Sequence, residues 1–398
     1  MLPRIVIVGA GFVGTQSATL LAKRLGRRAE IFLIDPKKHF CFTPRIIDAL
    51  ANPDTLRHWI ERPLDHLAKS DGFLFLRGNV VSVDRRKKTV TYKKAGARQN
   101  FHLPYDVLIL CPGTRTSFFA IPGADTHAFP LKCMEDVTRI HARTDALLTA
   151  AADAASDHDR RALLSFATVG AGPSGIESLF ALQQYIERWC HHRQKNLLPF
   201  VSFSLIHASP QILPGFSLSV VHEALRALQL DGVNVYTGDA VKRVGEQMIE
   251  TSLGRRIPSL CTLWNAGIEP NTPSITPAVR LDQRGGIMVD RYLRAADGIF
   301  AAGDVITYRE RNVIIPKNAQ TALLMSHTIV KNVLHSLRGR PLVPFQYHSK
   351  GNILYLGWTG VVDMKFLAVK TRLALILRDL FYRHRMKQIT GEKRCEIL

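Results

Sequence analysis

Two glycine clusters carry the residues of this chain best suited to chemistry: Gly9-Ala10-Gly11-Phe12-Val13-Gly14 and Gly170-Ala171-Gly172-Pro173-Ser174-Gly175. In each, the first glycine permits a tight turn and the second lets the backbone approach a pyrophosphate. The third allows a helix to pack closely on a sheet. The helix that follows offers unpaired N–H groups and the positive end of its dipole to phosphates. Asp35 stands about 20 residues beyond Gly14, the spacing of an acid that accepts hydrogen bonds from ribose hydroxyls. The chemistry so encoded is the holding of two dinucleotides. No Ser-His-Asp triad or metal-ligand cluster has convincing spacing, so the reacting groups are expected to be those of bound cofactors.

The elements around these clusters repeat one pattern. Ile5-Val6-Ile7-Val8 is a continuous β-branched run, as expected of a strand buried on both faces of a parallel sheet. It leads into the first glycines, a helix over Thr15–Leu25, and a second strand, Glu30–Ile34, that ends at Asp35. In mid-chain, Leu164–Val169 leads into the second glycines, a helix from Ile176 to Cys190 and the strand Val201–Ile206. Where an acid would close that strand the chain has His207. A neutral imidazole cannot replace a carboxylate as a charged acceptor, so a weakened preference for NADH over NADPH is expected. Glu177 falls in the first turn of a helix beginning at Ile176, where the dipole favours an acid. Asp106–Leu110 and Ile299–Ala302 read as further buried strands, and Gly285-Gly286 as a hairpin turn.

Composition narrows the class. The 398 residues are 46% hydrophobic and 22% charged, which suits a globular chain of two or three units and rules out dominant disorder, collagen or coiled coil. The balance of 53 Lys and Arg against 33 Asp and Glu, +20 overall, calls for an anionic neighbour. No nucleic-acid module is visible and the cations are dispersed, so nucleic acid is not an expected partner. The six cysteines lack CxxC spacing, which excludes a disulfide framework and fits a reducing compartment. The chain opens straight into a strand, and its longest stretch free of Asp, Glu, Lys and Arg, Asn196–His222, is broken by prolines. Neither a secretory signal nor a membrane span is expected.

Together with Asn265-Ala266-Gly267-Ile268-Glu269-Pro270-Asn271 and Ala301-Ala302-Gly303-Asp304, these motifs resemble the flavoprotein reductases with two dinucleotide-binding domains. Within them the chain is most similar to the type II NADH dehydrogenases, the single-chain NADH:quinone oxidoreductases. The likeness extends to Phe42-Thr43-Pro44, Cys111-Pro112-Gly113-Thr114, Pro316–Ala322 and Leu354-Tyr355-Leu356-Gly357, nearly the whole length. It implies an α/β fold of two Rossmann-like domains, the NAD(P)H domain inserted in the FAD domain, and a membrane-associating C-terminal segment. The corresponding boundaries are 1–130 with 267–340 for FAD, 131–266 for NAD(P)H and 341–398 for the C-terminal strands and basic helix.

The resemblance also implies roles. Gly9, Gly11, Gly14, Asp35, Gly113, Gly303 and Asp304 would hold FAD, with the helix starting at Ala319 aimed at the flavin. Gly170, Gly172, Gly175 and His207 would take NADH or NADPH. Glu177, near the nicotinamide, and Gln320, beside flavin and quinone, would serve catalysis. The implied reaction moves hydride from NAD(P)H to flavin and two electrons to a membrane quinone, without proton pumping. The implied place is the cytoplasmic face of a bacterial inner membrane, and a homodimer is left open. One departure is Leu324, where the family often has a second Gln one turn after the Ala-Gln pair; an apolar side chain there replaces one polar contact of the implied quinone site.

Two rival readings of the same motifs are a single-cysteine peroxidase or disulfide reductase using Cys41, and a flavin-binding sensor without turnover. Phe40 and Phe42 beside Cys41 suggest a packed thiol. A sulfide:quinone reductase would need a late cysteine, and none lies between Cys261 and Cys395. Finally, Phe366, Val369, Leu373, Ile376, Leu377 and Leu380 recur at helical spacing within Lys365–Lys387, ringed by Lys370, Arg372, Arg378, Arg383, Arg385 and Lys387. That pattern predicts a helix lying on anionic lipid.

Overall fold

The computed structural model describes residues 2–55, 57–310, 313–349, 351–363 and 368–390. The β-branched runs form the strands expected of them, and they gather into two main sheets. In the larger, Arg4–Val8 lies between Val107–Leu110 and Glu30–Asp35, and all three run parallel. Ile299–Ala301 extends it on one side and Leu74–Asp84 on the other, both parallel. The sheet ends in the antiparallel strands Thr89–Lys94 and Asn100–Pro104. Residues 5–8 and Val107–Leu110 are buried throughout, which is what a continuous apolar run in a parallel sheet requires.

The second sheet is wholly parallel, in the order Ala128–Pro130, Cys261–Trp264, Ser165–Val169, Ser202–His207 and Asn234–Thr237. A short antiparallel ribbon, Thr114–Thr116 against Ile268–Pro270, joins the two sheets where the chain leaves the first and returns to it. Ahead of the second unit's first strand lie the helix Met134–Asp153 and, after a Ser156 cap, the helix Asp157–Leu163.

The C-terminal section bridges both units. Its antiparallel strands Asn352–Leu356, Thr359–Asp363 and Ala368–Thr371 place Leu354, Tyr355, Leu356 and Val361 in the core of the second sheet. The helix Leu373–Thr390 then crosses to the first unit, where Met386 and Ile389 enter the larger core. The helical spacing expected from Lys365 onward holds only from Leu373. Val369 belongs to a strand, and Phe366 lies outside the described residues. Arg378, expected among the cations at the surface, is instead 6% exposed, because the helix turns that face towards the protein. Among the described residues no helix is long and apolar enough to cross a membrane.

Candidate functional site

The two glycine turns are built alike to within tenths of an ångström. Gly9 and Gly170 have φ of +100° and +102°, a region that side-chain-bearing residues rarely adopt. A Cβ on Gly9 would lie 2.3 Å from the Cys111 carbonyl oxygen, and one on Gly170 2.6 Å from that of Asn265. Each turn is tied to the strand beside it, Gly9 N–H to Ile34 and Gly170 N–H to Ile206, both at 2.8 Å. On Gly14 or Gly175 a Cβ would come within 1.8 Å of the oxygen of Gly9 or Gly170, so each helix sits directly on its turn.

Gly11 and Gly172 differ from these: no atom lies within 4 Å of where their Cβ would be. They cap the helices Phe12–Leu25 and Pro173–His192, and neither helix has a side-chain cap or an acid in its first turn. Uncapped N–H groups at two open helix starts are suited to anionic phosphates. The second helix begins earlier than its sequence pattern suggested, because Pro173 is pre-organised for a first helical position. Glu177 therefore sits beyond the first turn, and the dipole is not what accounts for it.

Asp35 and His207 close equivalent strands and make equivalent bonds. Ala10 N–H donates to Asp35 Oδ2 at 2.7 Å, and Ala171 N–H donates to His207 Nδ1 at 3.2 Å. Asp35 takes a second bond from Lys37 N–H at 2.8 Å, while burial raises its pKa above the usual carboxylate value. Burial lowers that of His207, whose Nε2 is enclosed and has no partner.

A cleft of about 670 Å³ opens over the first turn, within the size range of cofactor sites. Gly9, Gly11, Asp35 and Gly113 line it, as do Lys37 and Lys132, which the sequence did not single out. Lys132 hydrogen-bonds Thr114 Oγ1 at 3.3 Å, and burial lowers its pKa against the pull of Asp304. Asp304, raised by burial, follows Gly303 in a short turn, and Lys317 Nζ donates to its carbonyl at 2.8 Å. The helix Ala319–Ser336 starts nearby, capped by Asn318, whose side chain accepts from Thr321 N–H at 2.8 Å. Gln320 lies in its first turn, half-buried. A glycine backbone open to the cleft, an uncapped helix start, a strand-end acid and two lysines fit an adenine dinucleotide.

Glu177 is turned towards the C-terminal section. Its Oε1 accepts from Tyr355 N–H at 3.0 Å, and Arg378 and Asp48 are its charged neighbours. Burial pushes its pKa up to about 7, with Arg378 and the Tyr355 bond pulling downward. Cys41 lines the first cleft as a free thiol, and burial, aided by Glu61, raises its pKa to about 12.

Residues 3–326 match the pyridine nucleotide-disulphide oxidoreductase family. The chain is 27% identical over 91% of its length to a probable NADH dehydrogenase of Dictyostelium discoideum, covering 81% of that protein. It is 26% identical over 78% of its length to the external alternative NAD(P)H-ubiquinone oxidoreductase B4 of Arabidopsis thaliana, of which it spans only 55%. Among solved structures, NDH2 from Plasmodium falciparum in complex with NADH superposes with a TM-score of 0.86 over 98% of this chain and 97% of that one, at 18% identity. With both glycine turns inside the matched region, the chain belongs to the pyridine nucleotide-disulphide oxidoreductase family.

Proposed function

We propose that the protein is an FAD-dependent NAD(P)H:quinone oxidoreductase of the type II NADH dehydrogenase kind. The observation that carries this reading is the pair of matched glycine turns, each open at its second glycine, at the ends of parallel strands in two sheets joined by a ribbon. The named relatives act on NADH, NAD(P)H and ubiquinone, which supports the donor and the acceptor. In this reading Gly9, Gly11, Gly14, Asp35, Gly113, Gly303, Asp304 and Ala319 hold FAD, and Gly170, Gly172, Gly175 and His207 hold the nicotinamide dinucleotide. Bound FAD would supply hydride acceptance from the nicotinamide and delivery of two electrons to quinone. Asp35 braces the first loop through Ala10 and would accept from the ribose of bound FAD. Lys37 and Lys132, which line the cleft, would offset phosphate charge, and Gln320 would serve the flavin end. The division read from the sequence is 1–130 with 267–340, 131–266 and 341–398; its return boundary coincides with the ribbon strand Ile268–Pro270, whereas the outgoing ribbon strand is Thr114–Thr116 and Ala128–Pro130 already pairs in the second sheet.

A quinone pool is lipid-soluble, so the reading includes contact with a membrane surface. It is supported by Leu373, Ile376, Leu377 and Leu380, which are 53–63% exposed along one side of the C-terminal helix. The reading sets the protein at the cytoplasmic face of a bacterial inner membrane, and the free cysteines among the described residues are in keeping with a reducing compartment. The test is anaerobic stopped-flow: purified yellow protein should bleach with NADH or NADPH within seconds and recover its colour on addition of a short-chain quinone. Protein refolded with FAD that stays colourless, or that bleaches and does not reoxidise with quinone, defeats the reading.

A further inference from the structure

Among the described residues, the groups that act on the Glu177 carboxyl come from distant parts of the chain. Tyr355, in the first C-terminal strand, donates its N–H, and its hydroxyl donates to Gln184 two turns further along the same helix as Glu177. Asp48 comes from the short helix Ile46–Ala51 of the first unit. Arg378 and Tyr382 come from the C-terminal helix. Around these, Arg45 lies 3.6 Å from Asp48 and 2.5 Å from Asp379, so the cluster alternates in sign.

Arg378 is its centre. The guanidinium pairs with Asp48 and stands 4.8 Å from the Tyr355 ring centroid and 5.5 Å from that of Tyr382. Its Nη1 is buried without a hydrogen-bond partner. Desolvating an arginine costs several kcal/mol unless counter-charge is close. Asp48 supplies one such charge, and the Glu177 carboxylate is the other negative group near enough to act on it. The arginine is thus held where it influences the one acidic side chain early in the second glycine helix.

We propose that Arg378 is a positioning residue for Glu177, acting from the C-terminal helix through Tyr355, whose backbone N–H holds the carboxyl and whose ring lies under the guanidinium, while Asp48 pairs with the arginine. The inference rests on the reading that Glu177 works in the nicotinamide-driven reaction. Burial and Asp48 favour the protonated acid; Arg378 and the Tyr355 N–H favour the carboxylate, and the balance falls at about 7. Removing either charged neighbour should therefore move the titration, and in opposite directions.

The experiment uses full-length, FAD-loaded protein and two readouts: the flavin midpoint potential as a function of pH, and the pH profile of anaerobic flavin reduction by NADH. Wild type should show a break near pH 7 in both, and Glu177→Gln should abolish it. Arg378→Met should move the break upward by on the order of one unit, the scale of one nearby charge. Asp48→Asn should move it downward, and Arg378→Lys should restore most of the original position. A break that vanishes in Glu177→Gln yet stays put in both Arg378→Met and Asp48→Asn overturns the positioning role and leaves the reading of Glu177 standing. A break that survives Glu177→Gln overturns that reading itself. Should Arg378→Met fail to fold, Asp48→Asn and Arg378→Lys decide the matter alone.

Discussion

The imidazole Nδ1 of His207 accepts a hydrogen bond from the backbone N–H of Ala171 at 3.2 Å, the relation that Asp35 has to Ala10 in the first unit. The histidine therefore occupies the strand-end acid's place and does its loop-bracing work, but without its charge. Accepting at Nδ1 puts the ring proton on Nε2, and burial keeps the ring neutral. An imidazolium drawing in a 2′-phosphate would have to break this bond.

Donor choice follows from that geometry. The ratio of kcat/KM for NADH over NADPH should stay flat as pH falls from about 8 to about 6.5, the ordinary histidine range. His207→Glu should raise the ratio by about 1–2 kcal/mol, the scale of a charge-assisted hydrogen bond plus phosphate repulsion. An unchanged ratio in that variant would mean His207 does not reach the ribose. Because the folded protein holds this histidine below its ordinary pKa, its contribution to stability is complete above about 6.5 and declines as pH drops through the lowered value. Urea midpoints of wild type and His207→Gln should converge over that acid window.

The two glycine turns should be separable by substitution. A methyl on Gly14 or Gly175 meets a carbonyl oxygen at 1.8 Å, which only a shift of the helix can relieve. Gly175→Ala should purify yellow but bleach with NADH at least tenfold more slowly at sub-saturating donor, since a displaced loop weakens pyrophosphate binding by over ~1.4 kcal/mol. Gly14→Ala should lose flavin on gel filtration. Wild-type bleaching by Gly175→Ala would remove the second turn from the donor site.

The exposed side of the C-terminal helix predicts how the protein meets lipid. Ile376→Ser with Leu380→Ser should leave the melting curve unchanged, because both side chains already face solvent. It should release the protein from anionic liposomes in co-sedimentation, each lost apolar contact being worth about 1.5–3 kcal/mol if fully buried in lipid. Deleting residues 364–398 is a poorer test, since it also strips away the buried Ala374, Arg378 and Ile389. Undiminished co-sedimentation of the double variant would show that lipid contact lies elsewhere.

Cys41 bears on the peroxidase alternative. A thiol raised to about 12 is almost wholly protonated at neutral pH and a poor nucleophile. Iodoacetamide at pH 8 should leave Cys41 unlabelled in native protein and label it in urea, as read by peptide mass spectrometry. Rapid native labelling would return the single-cysteine chemistry to consideration.

How far the sequence reaches depends on whether a requirement is local. A positive φ at Gly9 or Gly170, and the carbonyl packed where a Cβ would stand, are demands on one residue, so the residue type announces them. The same holds for the buried strands, legible as β-branched runs, and for the strand-end positions of Asp35 and His207. Glu177 is different. Its neighbours Asp48, Tyr355 and Arg378 come from three separate segments, and no spacing in the chain records their meeting. Periodicity assigned the apolar side of the C-terminal helix correctly from Leu373 onward, yet it counted Arg378 among the surface cations. A helical pattern says which residues share a side, whereas only the packed neighbours say which side is covered. Lys132 shows the same limit: an ordinary lysine in sequence, it lines the dinucleotide cleft near Asp304 only because the chain folds back there. Turn chemistry is written residue by residue; burial, and with it the charge state of a buried group, is decided by what the rest of the chain brings alongside.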